Sequence, residues 1–304
     1  MKQLLKTRQF RSSLMAWLLS LLAAAATAGP IRDRILARTQ SLQPAGVQVI
    51  RDVAYGPDAR QRFDVYAPEH AKDAPVIFMV HGGAWAQGDK QAQGVLDNKL
   101  ARWSPQGFVL ISVNYRMLPQ TKPLEQARDL ALALATAQNQ AASWGADRHQ
   151  FILMGHSAGA HLVALLTTSP AISQDLHLSP WLGSVLLDSA AMDVVQLMQT
   201  RHLALYDRAF GTDTAYWRQT SPFHRLTQAA QPLLAVCSTR RETSCAQADQ
   251  LVEKAVALGT RASTLKLDLN HGDINQRLGL DLATTPTSLH MALEACCTEL
   301  DKDL

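Results

Sequence analysis

The sequence predicts an α/β fold, in which a mostly parallel sheet is covered by helices on both faces. The main observation is that short, continuous apolar runs alternate with segments of helical spacing, as is typical of buried parallel strands. A second observation is that no linker, repeat or low-complexity tract interrupts residues 45–304. The apolar runs are Pro75–Val80, Phe108–Val113, Phe151–Met154, Leu182–Leu187, Leu233–Val236 and Thr264–Leu269.

Two further patterns complete the predicted fold. Val47–Tyr55 and Arg62–Ala67 alternate apolar and polar residues, which predicts an antiparallel hairpin at the start of the domain. Helices are predicted where apolar residues recur at helical spacing. These segments are Leu124–Trp144, His161–Thr168, Ala246–Leu258 and Ser288–Leu300. We therefore expect one domain over residues 45–304.

Residues 190–225 depart from this alternation, because they combine aromatic side chains with His, Arg and Asp and contain no clear strand. Long excursions in compact domains are often lids or binding loops. We expect a lid-like insertion over the carboxyl edge of the sheet, whose aromatic residues line a substrate pocket. The alternative is a connecting segment that only packs on the sheet.

The amino terminus has the pattern of a secretory signal peptide over residues 1–28. Four cations precede an apolar stretch at Leu14–Ala26, and small residues at Ala26 and Ala28 suit a cleavage site. The stretch is shorter than the about 20 residues needed for a membrane helix. We expect an exported protein, periplasmic or secreted, with no membrane span after cleavage, and an N-terminal segment at residues 29–44.

The charge of the chain argues against one class of partner. The formal net charge is +3 over 304 residues, but four of the cations lie in the predicted signal peptide, which has no acid before residue 12. The remainder is nearly neutral and has no basic stripe, so nucleic-acid binding is not expected.

Export affects the four cysteines, because an oxidising compartment permits disulfides. Cys237 and Cys245 enclose seven residues and can be bridged if their Cα atoms approach to about 5.5 Å, as at a strand-to-helix turn. Cys296 and Cys297 are adjacent. They can pair elsewhere, stay free or bond to each other, and the sequence does not choose among these.

The segment Gly155–Gly159, with the sequence Gly-His-Ser-Ala-Gly, follows a predicted strand and precedes a predicted helix. This is the context of a nucleophile elbow, in which small flanking residues let a strained turn expose the serine. Ser157 is therefore the candidate nucleophile. The helix amino terminus places the Ala158 N–H beside it. A serine that only caps the helix is the alternative.

A second motif, His-Gly-Gly-Ala-Trp at residues 81–85, directly follows the strand Pro75–Val80. Glycines there let backbone N–H groups turn toward a developing negative charge. Paired with the elbow, Gly82 and Gly83 are candidates for the rest of an oxyanion hole.

With these motifs the sequence resembles the α/β-hydrolase superfamily, in its serine esterase and lipase branch, near hormone-sensitive-lipase-like, feruloyl-esterase-like and kynurenine-formamidase-like members. The resemblance covers roughly residues 45–304. Asn114-Tyr115-Arg116 with Pro119 is similar to a family motif, and residues 270–275 are similar to the family's terminal histidine loop. The resemblance implies the α/β-hydrolase fold and hydrolysis of a carboxylic ester, without fixing the substrate.

His271 is the candidate base, since it follows the last predicted strand and comes after Ser157 in the chain. His156 and His161 are the competitors. His156 is adjacent to the nucleophile and in an elbow usually points away from its oxygen, whereas His161 is expected to be a packing or substrate-wall residue. A metal site is not expected, because the chain lacks a His-Glu-x-x-His motif. No cofactor is expected either. The candidate substrate-binding residues are Trp85, His156, Tyr206 and Trp217.

The acidic residue that would orient His271 departs from the family pattern. An aspartate is expected in the loop after the strand Leu233–Val236, but the only acid there is Glu242. Glu242 is our first candidate, because either Asp or Glu can hold the imidazole tautomer. Asp188 and Asp193, which follow the preceding strand, are the alternatives.

These residues together predict two-step acyl transfer on a small-molecule ester. An amidase or formamidase on the same fold is one alternative. A non-catalytic binding protein is another, because a fold does not by itself imply activity. The oligomeric state is left open.

Overall fold

The computed structural model describes residues 46–280. Within this range the strands form one eight-stranded sheet in the order β1-β2-β4-β3-β5-β6-β7-β8. The first two pairings, β1 with β2 and β2 with β4, are antiparallel, and all others are parallel. The strands are β1 (Val47–Ala54), β2 (Arg62–Pro68), β3 (Ala74–Val80), β4 (Val109–Val113), β5 (Ala146–His156), β6 (Gly183–Leu187), β7 (Leu233–Ser238) and β8 (Ala262–Leu267).

Helices connect the parallel strands, as crossover connections require. They are α1 (Gln93–Trp103), α2 (Pro123–Gln140), α3 (Ala158–Thr168), α4 (Val194–Gln199), α5 (Ala204–Phe210), α6 (Thr214–Gln219), α7 (Pro222–Arg225), α8 (Glu242–Ala257) and α9 (His271–Gln276). Short 3-10 turns lie at Ser104–Gln106, Ala141–Trp144 and Pro170–Ile172.

The core has two layers because successive strand side chains point to opposite faces of the sheet. On β3, Phe78 packs with apolar residues of α2 and α3, whereas Met79 packs with Leu100 of α1 and Ile274 of α9. Every residue of β4 and β6 is buried. The predicted α/β class, with helices on both faces of a mostly parallel sheet, is confirmed, and the fold is that of the α/β-hydrolases.

Some elements were not predicted. Helix α1 lacks a side-chain N-cap and contains Gly94, so its sequence pattern is weak. Residues 190–225 contain no strand, as expected, but form the four short helices α4–α7. The histidine segment, expected as a loop, forms the short helix α9.

Several predictions concern residues outside 46–280. The predicted signal peptide at 1–28, the N-terminal segment at 29–44, the helix Ser288–Leu300 and the pair Cys296 and Cys297 all lie outside the described residues. In the described part of the chain, no helix combines the length and the hydropathy that a membrane span needs.

The strand register determines what lies at the carboxyl edge of the sheet. His156 pairs with Leu187, and Leu187 pairs with Val236, so β5, β6 and β7 end at nearly the same level. In open parallel sheets this edge is where ligands bind. The residues that follow these strands therefore meet at one place.

Candidate active site

Ser157 occupies the sharp turn between β5 and α3, with φ 57° and ψ −118°. Such a conformation is strained for a residue with a Cβ, and strain of this kind clusters at functional sites. The turn also needs its two glycines. A Cβ on Gly155 would lie 2.4 Å from the Gly159 carbonyl oxygen, and one on Gly159 would lie 2.4 Å from that of Val80. Close backbone packing thus explains the Gly-x-Ser-x-Gly spacing.

The glycine loop after β3 lies against this turn. A Cβ on Gly82 would lie 3.0 Å from the Cβ of Ser157, and Gly83 has φ +116°. Ala158 is the first residue of α3, so its N–H has no acceptor in the helix. Gly82 and Gly83 line the cleft that contains Ser157, and Ala158 directly follows the serine. Their role as an oxyanion hole stays a prediction.

The Asn114–Arg116 motif holds the glycine loop in place. The Tyr115 hydroxyl donates to the carbonyl of His81 over 3.1 Å, and the two rings stack with centroids 4.6 Å apart. The Asn114 side chain accepts from the Lys90 N–H and donates to Asp89. The motif thus has a positional role, which the sequence pattern alone did not specify.

His271 is the first residue of α9, a helix capped by Asn270, whose Oδ1 accepts the Asp273 N–H over 2.9 Å. The other end of α9 is fixed by Lys99 of α1, whose Nζ donates to both the carbonyl and the side-chain oxygen of Asn275 at 2.8 Å. Burial lowers the pKa of Lys99 to about 7. Sequence reasoning missed Lys99, because nothing in its local pattern sets it apart.

His156 supports the backbone of His271. Its Nε2–H donates to the His271 carbonyl over 2.9 Å, and the two ring centroids are 4.5 Å apart. Burial, together with the nearby His271, lowers the pKa of His156 to about 3. His156 also lines the cleft at Ser157. Its role in substrate binding stays a prediction.

The structure corrects the choice of acid. His271 Nδ1 lies 2.6 Å from Oδ2 of Asp188, the residue that directly follows β6. Glu242, our first candidate, is instead an exposed residue in the first turn of α8. Asp193 caps α4 through the Gln196 N–H and contacts His224. Asp188 was only an alternative at the sequence level.

The Asp188 carboxylate is fully buried and is surrounded by donors. Oδ1 accepts from the Ser238 N–H at 3.0 Å and the Ser244 hydroxyl at 2.6 Å, and Arg241 approaches Oδ2. Burial by itself would raise the pKa of Asp188. The hydrogen bonds from His271, Ser244 and Ser238 outweigh this and hold the pKa well below its usual range. The group is therefore a carboxylate at neutral pH.

A cleft of about 590 Å³ opens over these groups. Ser157, His156 and His271 lie in its lining with several small residues, and Leu205 of α5 reaches its edge. The cleft is thus wide and lined mostly by small or polar residues.

Three predicted substrate-binding residues lie elsewhere. Trp85 is 2% exposed and packs in an aromatic cluster with His161, Tyr206 and Phe210. Tyr206 borders a second pocket of about 270 Å³. Trp217 is half-buried and donates to the Gly211 carbonyl. We attribute these positions to packing in one apolar cluster, because apolar aromatic area is more stable buried than in water.

His161 is fully buried and joins the aromatic cluster to the insertion. Its Nδ1 accepts from Trp85 Nε1–H at 3.2 Å, and its Nε2–H donates to the Thr220 carbonyl at 2.7 Å. Only the neutral ring satisfies both contacts, because a second N–H would face the indole N–H. Burial lowers the pKa of His161 to about 4.

The neutral His161 predicts acid sensitivity of the fold. In the unfolded protein the His161 ring becomes protonated below about pH 6.5, whereas in the folded protein it becomes protonated only near pH 4. The free energy of unfolding therefore falls as the pH decreases through that window. We expect the free energy of unfolding to fall between pH 6 and 5, with a His161 share of about 1 kcal/mol. Urea unfolding of the wild type and of His161→Gln measures this share. An equal pH dependence in both proteins would contradict the assignment.

Cys237 on β7 and Cys245 on α8 lie on either side of the segment that contacts Asp188. Their Cα atoms are 5.1 Å apart, and their sulfur atoms are at bonding distance. The residues between them include all three donors to the Asp188 carboxylate other than His271.

In the part of the chain that the structure describes, no group of three or more His, Cys, Asp or Glu side chains is arranged to hold a metal ion.

Comparison with known proteins places the chain in a family. The model of the BD-FAE family matches residues 63–249, which is more than half of the chain and includes Ser157, Asp188 and the glycine loop. The chain belongs to the BD-FAE family. This BD-FAE protein thus lies within the α/β-hydrolase esterases, as the sequence motifs predicted.

Curated relatives of this BD-FAE protein include several esterases. It is 36% identical over 118 residues to the probable isoprenylcysteine alpha-carbonyl methylesterase ICME of Oryza sativa subsp. japonica, covering 38% of this chain and 28% of the relative. It is 29% identical over 205 residues to Esterase LipC of Mycobacterium tuberculosis, covering 62% of this chain and 50% of the relative. The chain thus spans half or less of the length of these relatives.

Solved structures share the fold of this BD-FAE protein. Esterase B from Lactobacillus rhamnosis superposes with a TM-score of 0.67 at 20% identity, covering 92% of this chain and 97% of that one. Thermogutta terrifontis esterase 2 superposes with a TM-score of 0.64 at 19% identity, covering 82% and 93%. At these identities the likeness concerns the fold alone.

Proposed function

We propose that this protein is a carboxylic ester hydrolase that uses a triad of Ser157, His271 and Asp188. The observation that carries the proposal is the 2.6 Å contact between His271 Nδ1 and Asp188 Oδ2 at the cleft that contains Ser157. A carboxylate at Nδ1 favours the tautomer whose Nε2 is free to accept a proton. The esterases among its relatives support the same reaction class.

In the first step, His271 Nε2 takes the proton of the Ser157 hydroxyl as Oγ attacks the ester carbonyl carbon. The carbonyl oxygen becomes an anion, which the N–H groups of Gly82, Gly83 and Ala158 stabilise. The dipole of α3 adds to this stabilisation, because its positive end faces the serine. Asp188 stabilises the imidazolium that forms.

The intermediate then collapses. The bond to the alkoxy oxygen breaks, the alcohol leaves with the proton from the imidazolium, and the acyl group remains on Ser157. Water repeats the sequence: His271 takes a proton from water and the hydroxide attacks the acyl carbon. The bond between that carbon and Ser157 Oγ then breaks, the imidazolium returns its proton to Oγ, and the carboxylic acid is released. No cofactor is needed for either half.

A series of p-nitrophenyl esters of increasing acyl length, with a feruloyl ester included, tests this function. Specificity follows the volume available beside the serine, and the small lining residues leave a cleft of about 590 Å³, so the series measures which acyl lengths it accepts. Release of p-nitrophenol that saturates with substrate would support the proposal. The proposal would be overturned if none of the esters in the series were hydrolysed.

A formamidase is the second candidate, because the chain is also 28% identical over 158 residues to the kynurenine formamidase of Danio rerio, covering half of each chain. The same triad can attack a formamide carbonyl. Turnover of an N-formyl aryl amine faster than of the matched formate ester would favour this alternative. A non-catalytic role would instead leave both substrates unchanged.

Export to an oxidising compartment is part of the proposal and predicts a Cys237–Cys245 disulfide. The signal-like sequence at residues 1–28 and the adjacent sulfur atoms support it. We expect non-reduced peptide mapping of periplasmic material to give the two cysteines in one linked peptide, whose mass shifts on reduction. Material expressed in the cytosol is the control. Two free thiols in the periplasmic protein would contradict the prediction.

A further inference from the structure

Three of the four donors to the Asp188 carboxylate come from one short segment, Ser238–Ser244, which lies between the two cysteines. Two of them, the Ser238 N–H and the Ser244 hydroxyl, occupy Oδ1. Arg241 donates from Nη1 to Oδ2 over 2.5 Å. Oδ2 is therefore shared between the guanidinium of Arg241 and the imidazole of His271.

Arg241 lies unusually close to the base itself. The same Nη1 is 2.7 Å from His271 Nδ1 and 3.2 Å from the Asp188 carbonyl oxygen. When Nδ1 carries the proton that the reaction requires, it cannot accept from Arg241. The guanidinium then donates to Oδ2 and to the carbonyl oxygen of Asp188, so Arg241 fixes both the side chain and the backbone of the acid.

The backbone of Asp188 explains why such fixing matters. Asp188 has φ +53°, a left-handed conformation that is uncommon for a residue with a side chain. Its N–H donates to the Val236 carbonyl, which ties the start of the turn to β7. Arg241 donates a hydrogen bond to the carbonyl oxygen of Asp188, and so stabilises the strained turn at its other end.

Arg241 also changes the charge that Asp188 presents to the ring. The other titratable or charged groups around the pair are His156 on β5, Lys99 on α1, Tyr206 on α5 and the exposed Glu242 on α8. His156 is neutral above about pH 3. Lys99 donates to Asn275 and not to Asp188 or His271. Arg241 is thus the cation in direct contact with both members of the pair.

We propose that Arg241 is a positioning residue for the hydrolysis, which holds Asp188 Oδ2 against His271 Nδ1 and offsets part of the negative charge of Asp188. This inference rests on the proposed function. Arg241 borders the second pocket rather than the cleft at Ser157, and its side chain is one-third exposed. It therefore acts on the base and not on the bound ester.

The test compares Arg241→Met and Arg241→Lys with Arg240→Met. Arg240 is a matched control, because it is the neighbouring residue and its exposed guanidinium pairs with Asp268. For Arg241→Met we expect kcat to fall about tenfold with KM within about twofold, because an interaction with the base is lost and substrate contacts are kept.

The pH profile separates this role from a structural one. Without the cation, the full charge of Asp188 favours the protonated ring, so the acidic limb of kcat/KM should move up by about 0.5 pH unit or more in Arg241→Met. Arg241→Lys keeps the charge and should return the acidic limb to the wild-type position, with kcat only partly restored, since a lysine cannot contact both oxygens in the same way.

Two results would overturn the inference while leaving the proposed function intact. One is a wild-type kcat and acidic limb in Arg241→Met, as expected for Arg240→Met. The other is a lowered melting temperature and kcat with an unmoved acidic limb, in both Arg241 variants. Wild-type protein and Arg240→Met that hydrolyse no ester would instead overturn the proposed function, and this inference with it.

Discussion

Ser157→Ala is expected to abolish ester hydrolysis, with a loss of kcat of about 10⁶ and the fold retained. The reason is that the substitution removes the one oxygen that attacks the substrate, while the glycines that shape the turn remain in place. Alanine has the same backbone requirements at φ 57°, so the strain is unchanged. Initial rates with p-nitrophenyl acetate, together with circular dichroism, measure the effect.

A matched control is Ser143→Ala, which removes an exposed hydroxyl from the 3-10 turn before β5. It should hydrolyse esters at the wild-type rate. A fluorophosphonate probe gives a second measurement, because it should label the wild type and Ser143→Ala but leave Ser157→Ala unlabelled. Turnover by Ser157→Ala at the wild-type rate would exclude Ser157 as the nucleophile.

The second large effect is expected for Asp188→Asn, which should lower kcat by about 10⁴ with little change in KM. An amide at this position can donate to Nδ1, which favours the tautomer with the proton on Nε2, where it cannot accept the serine proton. The contact with Arg241 also weakens, since the amide carries no charge. The kcat and KM for the acetate ester, with a thermal melt of the folded variant, measure this.

Glu242→Gln is the control that decides between the two acids. Glu242 is exposed and does not contact His271, so this variant should keep the wild-type kcat. Asp193→Asn is expected to affect the cap of α4 rather than kcat. A collapse of kcat in Glu242→Gln, with Asp188→Asn near the wild type, would identify Glu242 as the acid that orients His271.

Much of the fold follows from local patterns in the sequence. Continuous apolar runs predicted the parallel strands, because a strand buried on both faces has no polar positions. The predicted strand starts differ by a few residues from the observed ones, most at β5, which begins at Ala146 rather than Phe151. Those first residues are partly exposed and polar, so periodicity could not include them.

The positions of Ser157, His271 and the glycine loop could also be predicted from the sequence. Each lies just beyond the end of a strand, and the carboxyl ends of parallel strands share one edge of the sheet. The turn also has a local requirement, because only a small residue at Gly155 allows the close approach of the Gly159 carbonyl. Lys99 and the Asn114 motif were beyond this reasoning, because their roles depend on contacts between distant segments.

The identity of the acid is where local reasoning failed. Asp188 and Glu242 both follow strands that end beside His271, so the strand order alone does not choose between them. The choice depends on the left-handed turn at Asp188 and on the donors of Ser238 and Ser244, which stabilise a buried carboxylate there. Glu242 begins α8 and remains in solvent, where nothing orients it toward the ring.

By itself the sequence determined the α/β class, the strand-to-helix turn at Ser157, the glycine loop and the place of His271, because each depends on residues adjacent in the chain. The tertiary structure alone decided that Asp188 meets His271, that Arg241 contacts both, and that Trp85 packs away from the cleft. These outcomes depend on burial and on contacts between segments distant in the chain, 83 residues apart for His271 and Asp188, and such contacts leave no local pattern in the sequence.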